Sequence, residues 1–278
     1  FVQAGATIAA DAAAALAATD VVLKVRRPIM ADENGADELA QMHSGQVLIA
    51  MLNPLIRRSD CDAYAAAGVD AYAMELMPRI SRAQSMDVLS SQANLAGYKS
   101  VLDATEEFGR ALPMMMTAAG TIAPAKIFVM GAGVAGLQAI ATARRLGAVV
   151  SATDVRPVAK EQVESLGASF VMVEDEESAQ AETEAGYARE MSEEYKQKQA
   201  ALIAETIAKQ DIVICTALIP GRAAPVLVDE AMVAAMKPGS VIVDLAVENG
   251  GNCALSQMGK VIDADGVKII GHANFPAR

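Results

Sequence analysis

The 278-residue sequence is poor in the residues from which several kinds of site are built. It contains only two histidines, His43 and His272, which are too few for a histidine-rich metal centre or a convincing Ser/His/Asp triad. Its three cysteines, Cys61, Cys215 and Cys253, are far apart and odd in number. That pattern indicates neither a zinc site nor a disulfide framework. We therefore expect reduced thiols and no metal site.

Two further absences concern membranes and nucleic acids. No stretch approaches the roughly twenty apolar residues that a spanning helix needs. The first residues also lack the basic start and apolar core of a signal peptide. We therefore expect no direct membrane insertion by this chain. The formal net charge of −11 and the pI near 4.7 argue against nucleic-acid binding, because lysine and arginine are needed to neutralise phosphates.

What the sequence does contain is an alternation of short β-branched runs with alanine-rich helical runs. This pattern is typical of parallel strands covered by helices. It predicts an α/β protein of two doubly wound, Rossmann-like parallel-sheet domains with a cleft between them. The expected boundaries are 1–86 for the first domain, 87–112 for a long linking helix, 113–275 for the second domain and 276–278 for the start of a return segment. Because the opening FVQAGATI resembles the inside of an alternating unit, we expect an N-terminally incomplete first domain and a longer polypeptide.

The strands and helices of each domain can be placed from these runs. In the first domain we expect strands at 21–25, 46–52 and 69–76, with helices near 11–18, 36–42 and 60–67. In the second we expect strands at 126–130, 148–153, 169–173, 211–217, 240–245 and 267–271. Pro113 and the turn formers in TAAGTIAPA are expected to end the long helix. We interpret the methionines at 114–116 as adaptable filling at a domain junction rather than as a metal site.

A glycine pattern lies in VMGAGVAGLQ, between a predicted strand and a predicted helix. Gly131 permits the tight turn, Gly133 lets a pyrophosphate approach bare backbone beside Val134, and Gly136 allows close packing of helix and strand. Asp154 lies at the tip of the next strand, where a carboxylate accepts both ribose hydroxyls of an adenosine and repels a 2′-phosphate. The pattern therefore predicts NAD(H) as cofactor in preference to NADP(H).

Other candidate cofactor contacts follow the strands of the same sheet. Val155 and Arg156 come directly after Asp154. An arginine there can hold a 2′-phosphate, but we interpret Arg156 as a surface residue. Since ligands bind beyond the carboxyl ends of parallel strands, residues after two later strands are also candidates. These residues are Thr216, Ala217, Leu218 and Ala246. For any one of them an ordinary βα connection is an equally good explanation.

Two polar segments remain. The stretch RISRAQSMDVLSSQ precedes the long predicted helix, and on its residues alone it is explained as a capped helix start, with Ser85 or Asp87 satisfying free N–H groups. The acidic segment 174–194 is explained as a surface loop. Because loops of that length are uncommon unless disordered or functional, a lid role for its Tyr187 is an open alternative.

Several long segments resemble one known family, the proton-translocating nicotinamide nucleotide transhydrogenases, and specifically their NAD(H)-binding first domain. The resemblance runs from about Thr19 to the last residue, with alanine dehydrogenase as a more distant relative. The segments are MELMPRISRAQSMDVLSSQANLAGY, ALPMMMTAAGT, MGAGVAGLQAIATARRLGA, TALIPGRAAPVLV and MKPGSVIVDLAVENGGN.

The resemblance implies roles for the polar stretch and for two other residues. Side chains matching those that face the nicotinamide are Arg79, Gln84, Asp87 and Ser90. Gln84 would lie nearest the second nicotinamide ring, Asp154 at the adenosine ribose, and Tyr187 in a loop that closes over the nucleotide. A carboxamide offers one acceptor and two donor hydrogens, so such side chains can fix which face of the ring is presented.

The resemblance also implies an activity and partners. NADH would be presented for direct hydride transfer to NADP⁺ held by a separate NADP(H)-binding domain. Proton translocation would belong to a membrane domain outside this chain, and the component would form a homodimer. Its place would be the cytoplasmic face of a bacterial inner membrane, or the matrix side in a mitochondrion.

Two alternative functions remain open on the sequence. The first is an amino-acid dehydrogenase like alanine dehydrogenase, which needs an ionisable lysine and histidine at strand ends of the first domain. The matching positions here hold Arg26 and Asn53, and an asparagine cannot serve as a general acid or base near neutral pH. Hydride transfer between two nicotinamides requires no such residue. The second alternative is an NAD-sensing module whose bound nucleotide never reacts.

Overall fold

The computed structural model describes residues 1–33, 35–78, 80–156, 158–173, 192–219 and 221–278. They divide into two compact units. The first comprises Phe1–Leu89 together with Gly221 and Arg222, and the second comprises Ser90–Ile219 and Ala223–Arg278. Both units contain parallel sheets and helices. The predicted α/β class is therefore confirmed, while the cleft stays a prediction.

The first unit is built on three parallel strands in the order β1-β2-β3. They are β1 (Val21–Arg26), β2 (Val47–Met51) and β3 (Asp70–Ala73), and the helices of this unit are α1 (Ala12–Ala17) and α2 (Arg58–Ala66). Alternate residues of β2, Leu48 and Ala50, are completely buried. They form a small core with Val22, Leu52 and Tyr64.

Two expectations for the first unit are wrong. The helix expected at 36–42 is a single 3-10 turn, Leu39–Gln41, because Met42 returns to an extended backbone. The strand expected at 69–76 ends at Ala73 and is followed by the 3-10 turn Met74–Leu76. That turn brings the Glu75 carboxylate to the N–H of Leu52, at 3.2 Å, and to the N–H of Asn53. The end of the strand is therefore replaced by a connection that holds the loop after β2.

The second unit contains a hairpin and a seven-stranded sheet. The strands are β4 (Met115–Thr117), β5 (Gly120–Ile122), β6 (Lys126–Met130), β7 (Val149–Thr153), β8 (Ser169–Phe170), β9 (Ile212–Cys215), β10 (Val241–Asp244), β11 (Lys260–Ala264) and β12 (Val267–Gly271). The helices are α3 (Val88–Glu107), whose first two residues belong to the first unit, α4 (Val134–Arg145), α5 (Ala159–Ser165), α6 (Glu193–Ile207) and α7 (Glu230–Ala234). This unit also contains the 3-10 segments Val247–Asn249 and Phe275–Ala277, and the first unit contains Val2–Ala4 and Ser81–Met86.

The large sheet has the strand order β11-β12-β10-β9-β6-β7-β8, with only β11 antiparallel to its neighbour. The chain starts in the middle at β6, builds outward through β7 and β8, and then crosses to β9. The order of the strands therefore reverses between β6 and β9, which is where doubly wound sheets bind ligands. Met130 lies opposite both Thr153 and Cys215, so the ends of these three strands are aligned.

Both faces of this sheet are covered by apolar side chains. Ile127 and Val129 pack in one core cluster, whereas Phe128 and Met130 pack in another. Every residue of β9 and of β10 is buried. Such two-sided burial explains why these strands are continuous apolar runs in the sequence.

The second unit also departs from expectation in four places. The long helix ends at Glu107 rather than near Leu112, just before Gly109, because glycine is a poor helix former. The strand expected at 169–173 is only Ser169–Phe170. The hairpin β4–β5 and the edge strand β11 were not expected. The three methionines at 114–116 are 59, 49 and 73% exposed in this chain, and their role as filling at a domain junction stays a prediction.

Within the described ranges, none of the helices combines the length and apolar character needed to cross a bilayer.

Candidate functional site

The glycine turn after β6 forms the centre of the candidate site. Gly131 has a φ of +104°, in the left-handed region that favours glycine, and its N–H donates to the Thr153 carbonyl at 2.8 Å. A Cβ added to Gly136 would lie 1.8 Å from the Gly131 carbonyl oxygen. One added to Gly133 would meet nothing within 4 Å among the described residues. The fold itself therefore requires glycine at two of the three positions, while the third faces open space.

Helix α4 begins in that open space. Gly133 is its N-cap and is exposed, and Val134 at its first position is 39% exposed. The first N–H groups of a helix have no partner within the helix and carry a partial positive charge. Bare backbone at the N-terminus of a twelve-residue helix therefore fits an anion such as a pyrophosphate.

The loop after β9 is held against this turn. The Thr216 hydroxyl donates to the Gly131 carbonyl at 2.9 Å, and the Thr216 N–H donates to the Met130 carbonyl at 2.9 Å. The predicted neighbours Ala217 and Leu218 follow, and Leu218 is 53% exposed. The structure therefore brings Thr216 and the glycine turn together where the strand order reverses.

Asn252 fixes the other side of the same loop, and sequence reasoning missed it. Its side chain is fully buried, donates to the carbonyls of Ala217 at 2.9 Å and Pro225 at 2.8 Å, and accepts the Ala217 N–H at 3.0 Å. The only signal was its position in DLAVENGGN, after a predicted strand. Asn252 is thus a support for the loop that contains the predicted residue Ala217.

Asp244, at the end of β10, organises the next loop. Its carboxylate is fully buried and accepts the N–H groups of Ala246 at 2.9 Å, Asn252 at 2.9 Å and Cys253 at 3.0 Å. The predicted contact Ala246 is itself completely buried. Burial raises the pKa of the Cys215 thiol well above its ordinary value, and the nearby Asp244 adds to this effect. Cys215 is therefore a neutral packing residue.

The acid at the tip of β7 is paired with an arginine. Asp154 and Arg156 form a two-pronged ion pair, with Nε to Oδ1 at 2.9 Å and Nη2 to Oδ2 at 3.0 Å. The N–H of Ala132 donates to the same carboxylate at 2.7 Å, and the N–H of Arg156 at 2.8 Å. Burial would raise the pKa of Asp154, but the hydrogen bonds from Arg156 and these N–H groups outweigh burial and lower it. Asp154 is therefore a carboxylate at neutral pH, and Val155 beside it is 86% exposed.

The predicted nicotinamide residues lie on a separate stretch of chain. Gln84 is exposed in the 3-10 segment Ser81–Met86, Asp87 follows with its N–H donating to the Gln84 carbonyl at 3.2 Å, and Ser90 is half-buried in the first turn of α3. Arg79 and Tyr187 lie outside the described residues. Gln84 and Asp87 belong to the first unit and Ser90 to the second.

The two positions matched to alanine dehydrogenase lie at strand ends of the first unit. Arg26 is the last residue of β1, and Asn53 follows β2 with a φ of +56°. Asparagine tolerates this left-handed conformation better than most residues. In the portion of the chain that the structure describes, no cluster of three potential metal ligands is found.

Comparison with known families accounts for both units. A family model described as alanine dehydrogenase/PNT, C-terminal domain, matches residues 100–278. A second model, alanine dehydrogenase/PNT, N-terminal domain, matches residues 1–96.

Individual relatives are of two kinds. The chain is 61% identical over 275 residues to a Rhodospirillum rubrum protein named as the first part of NAD(P) transhydrogenase subunit alpha, covering 99% of this chain and 71% of that protein. It is similar to the crystal structure of transhydrogenase from Sinorhizobium meliloti, with a TM-score of 0.85 and 60% identity over 99% of this chain and 72% of that one. A solved L-alanine dehydrogenase is similar with a TM-score of 0.75 and 26% identity, over 99% and 70% of the two chains.

Proposed function

The chain belongs to the alanine dehydrogenase/PNT family, and we propose that within this family it is the NAD(H)-binding component of a proton-translocating transhydrogenase. In this role it binds NAD(H) and presents the dihydronicotinamide to NADP⁺ held by a partner domain. When bound, NADH supplies the hydride, and the chain supplies binding, orientation and exclusion of water.

The arrangement of residues around the glycine turn is the observation that supports the proposed nucleotide binding. Gly131, Thr216 and Asp154 follow three aligned strands at the point where the strand order reverses. The open helix start at Gly133 suits a pyrophosphate, and the Asp154 carboxylate suits the hydroxyls of an adenosine ribose. The same carboxylate would repel a 2′-phosphate, so NAD(H) is the favoured nucleotide.

The difference between the two kinds of relative supports transhydrogenation rather than amino-acid oxidation. Identity is 44–61% to the transhydrogenases and 26–30% to the alanine dehydrogenases. The position aligned with a proton-transferring histidine holds Asn53, whose backbone N–H is engaged by Glu75 and whose side-chain amide cannot exchange a proton usefully near neutral pH. Direct transfer between two nicotinamides has no need of such a group.

For the nicotinamide end we propose Arg79, Gln84, Asp87 and Ser90 as orienting residues. Gln84 is exposed, as a residue that meets a second ring on a partner must be. Tyr187 is proposed as belonging to a segment that closes over the nucleotide. Val155 and Leu218 are exposed next to residues of the site and are candidates for contact with the adenosine.

The proposed partners are a second copy of this chain, an NADP(H)-binding domain and a proton-translocating membrane domain. The relatives are named as an alpha subunit, or as one section of an alpha subunit, of NAD(P) transhydrogenase, and such names support an enzyme of several subunits. The proposed location is the cytoplasmic face of the inner membrane in a bacterium, or the matrix side in a mitochondrion.

The test is single-turnover hydride transfer from NADH to NADP⁺ with this chain mixed with the NADP(H)-binding component of a related transhydrogenase. We expect transfer only when both proteins are present. In parallel, alanine and NAD⁺ with this chain alone should give no absorbance change above a blank. Turnover of alanine would support the dehydrogenase alternative, and tight NADH binding without transfer would support the sensing module.

A matched pair of variants sharpens this test. Because a misplacement of about 1 Å can cost on the order of a hundredfold in rate, Gln84→Ala should slow transfer far more than it weakens NADH binding. Arg82→Ala, an exposed change in the same 3-10 segment, should leave both unchanged. Parental transfer by a normally folded Gln84→Ala protein would remove Gln84 from the proposed site.

A further inference from the structure

We infer that Arg156 lowers the preference of the site for NADH over NADPH, because its guanidinium holds the positions on the Asp154 carboxylate that the ribose hydroxyls need. The inference rests on the proposed function, since it concerns the same nucleotide site. It assigns to a residue outside the glycine pattern a direct influence on which nucleotide binds.

The acceptor positions of Asp154 are all in use. A carboxylate offers about four lone-pair sites, two on each oxygen. Oδ1 accepts the N–H and Nε–H of Arg156, at 2.8 and 2.9 Å. Oδ2 accepts the N–H of Ala132 at 2.7 Å and Nη2–H of Arg156 at 3.0 Å. Two ribose hydroxyls therefore cannot both be accepted unless two existing donors leave.

Only the guanidinium is free to leave. The Ala132 donor is fixed by the fold, since it lies in the glycine turn and is 1% exposed, and the Arg156 N–H takes only one of the positions on Oδ1. The Asp154 side chain is 7% exposed, whereas that of Arg156 is 47% exposed and can swing into solvent. Besides Asp154, Arg156 donates from Nη2 to the Ala132 carbonyl at 3.2 Å, a neutral acceptor that gives a weaker bond. Binding of the ribose therefore exchanges the guanidinium for hydroxyls.

The exchange affects the two nucleotides in opposite ways. For NADH, the ion pair must be broken with no new charge to replace it, so Arg156 weakens binding. For NADPH, the displaced guanidinium stands next to a 2′-phosphate and can bind it in a fork geometry. Arg156 thus offsets some of the repulsion between Asp154 and the phosphate. Discrimination in favour of NADH is lower than the carboxylate alone would give.

Two substitutions separate these effects. Arg156→Met keeps the aliphatic stem and removes both the clamp and the charge. We expect NADH to bind more tightly and NADPH more weakly. The dissociation constant of NADPH divided by that of NADH should therefore rise by about tenfold, the scale of one lost charged hydrogen bond. Arg156→Lys loses the two-pronged clamp but keeps a positive charge, so NADH should again bind more tightly while NADPH stays near its parental affinity.

The measurement is calorimetric titration of the full chain with NADH and with NADPH, beside a thermal melt of each variant. Arg145→Met removes an equal charge from the exposed end of α4 and should leave the ratio unchanged. A ratio in Arg156→Met that stays at the parental value or falls would overturn the inference, because Arg156 would then be a support that remains on Asp154. If Arg156→Met melts abnormally, Arg156→Lys provides the test instead. Tighter NADH binding by that variant would support the inference, and unchanged or weaker NADH binding would overturn it.

The outcome also separates this inference from the proposed function. If the parent protein binds neither nucleotide, the proposed function fails. If the parent binds NADH in preference to NADPH and the Arg156 variants keep the same ratio, only the inference about Arg156 fails.

Discussion

The two units stabilise their parallel sheets by different means. In the second unit, β9 and β10 are buried at every position and apolar clusters cover both faces of the sheet. In the first unit, β2 is buried only at alternate residues, and β1 exposes Leu23 by 74% and Val25 by 84%. In the first unit, charged side chains near the strand ends add to the stability that its smaller apolar core provides.

These charged side chains form one network. Asp60, whose side chain is 6% exposed, pairs with Arg57 at 2.8 Å and with Arg27 at 3.3 Å. Glu33 pairs with the same two arginines. Burial of Tyr64 and the nearby Asp60 carboxylate raise the pKa of Tyr64 to about 12. Two arginines around a buried carboxylate offset the cost of taking it out of water.

The comparison teaches where each unit can place a functional group. In the second unit the turn after β6 is built from glycines and leaves bare backbone at the start of α4, while buried side chains such as Asp244 and Asn252 hold the neighbouring loops. In the first unit the loop after β2 has its backbone N–H groups at Leu52 and Asn53 bonded to the Glu75 carboxylate. The second unit is therefore the one suited to bind a dinucleotide backbone.

The largest effect is expected from truncating the core of the second unit. Phe128 is fully buried in β6, so Phe128→Ala should cost about 3–5 kcal/mol in unfolding free energy. Hydrogen exchange should show lost protection in β6, β9 and β10. Leu48→Ala, the matched change in the first unit, should reduce protection in β1, β2 and β3 instead. Equal losses in both units from either variant would mean that they unfold as one.

The next effect concerns two glycines only three positions apart. Gly136→Ala places a Cβ against the Gly131 carbonyl and should cost about 1–3 kcal/mol, the usual range for overpacking, while also weakening NADH binding. Gly133→Ala meets open space and should change stability by less than about 0.5 kcal/mol. It should nevertheless weaken NADH binding, because the Cβ stands where the pyrophosphate approaches.

Thermal melts and NADH titrations of both glycine variants check this pair. Unchanged NADH affinity in Gly133→Ala would show that the phosphates do not approach the start of α4. A normal melt for Gly136→Ala would show that the turn can shift without cost.

Much of the second unit follows from sequence because its determinants are local. The positions of Gly131 and Gly136 follow from the strand–turn–helix pattern, and a continuous apolar run such as 212–215 can only be a buried strand in this context. The confirmed parallel α/β architecture belongs to this class of prediction.

Other features could not be predicted because they depend on residues brought together by folding. Asn252 supports Ala217 from 35 positions away, and no local pattern announces such a bond. Arg156 is half-exposed, as a surface residue would be, and although it lies only two residues after Asp154, their contact depends on the shape of a turn that residue spacing does not reveal. The hairpin β4–β5 has three-residue strands without alternation, too short for a periodic signal.

A smaller effect is expected at Thr216. Thr216→Val keeps the shape of the side chain but removes the hydroxyl that donates to the Gly131 carbonyl. The loss of one hydrogen bond should lower the free energy of unfolding by about 1 kcal/mol. Thr206→Val removes a hydroxyl bonded to the Leu202 carbonyl within α6 and serves as the matched control. NADH affinity should fall only for Thr216→Val, and an equal fall in both variants would show that Thr216 has no special role.

The smallest effect on stability is expected when the pH is lowered, and it should arise in the first unit. Hydrogen bonds from Arg27 and from the Met30 N–H lower the pKa of Glu33 to about 2. Because the folded pKa lies below the ordinary value of 4.5, the stabilising contribution is present above that value and is lost as the pH falls towards 2. Carbon-detected NMR of the Glu33 carboxyl should show this low titration directly.

Glu33→Gln should lower the melting temperature slightly near neutral pH and less in acid, whereas Glu164→Gln, an exposed change on α5, should leave the pH profile unchanged. A Glu33 carboxyl that titrates near 4.5 would mean that Glu33 adds nothing to the charged network, which would then consist of Asp60 and its two arginines.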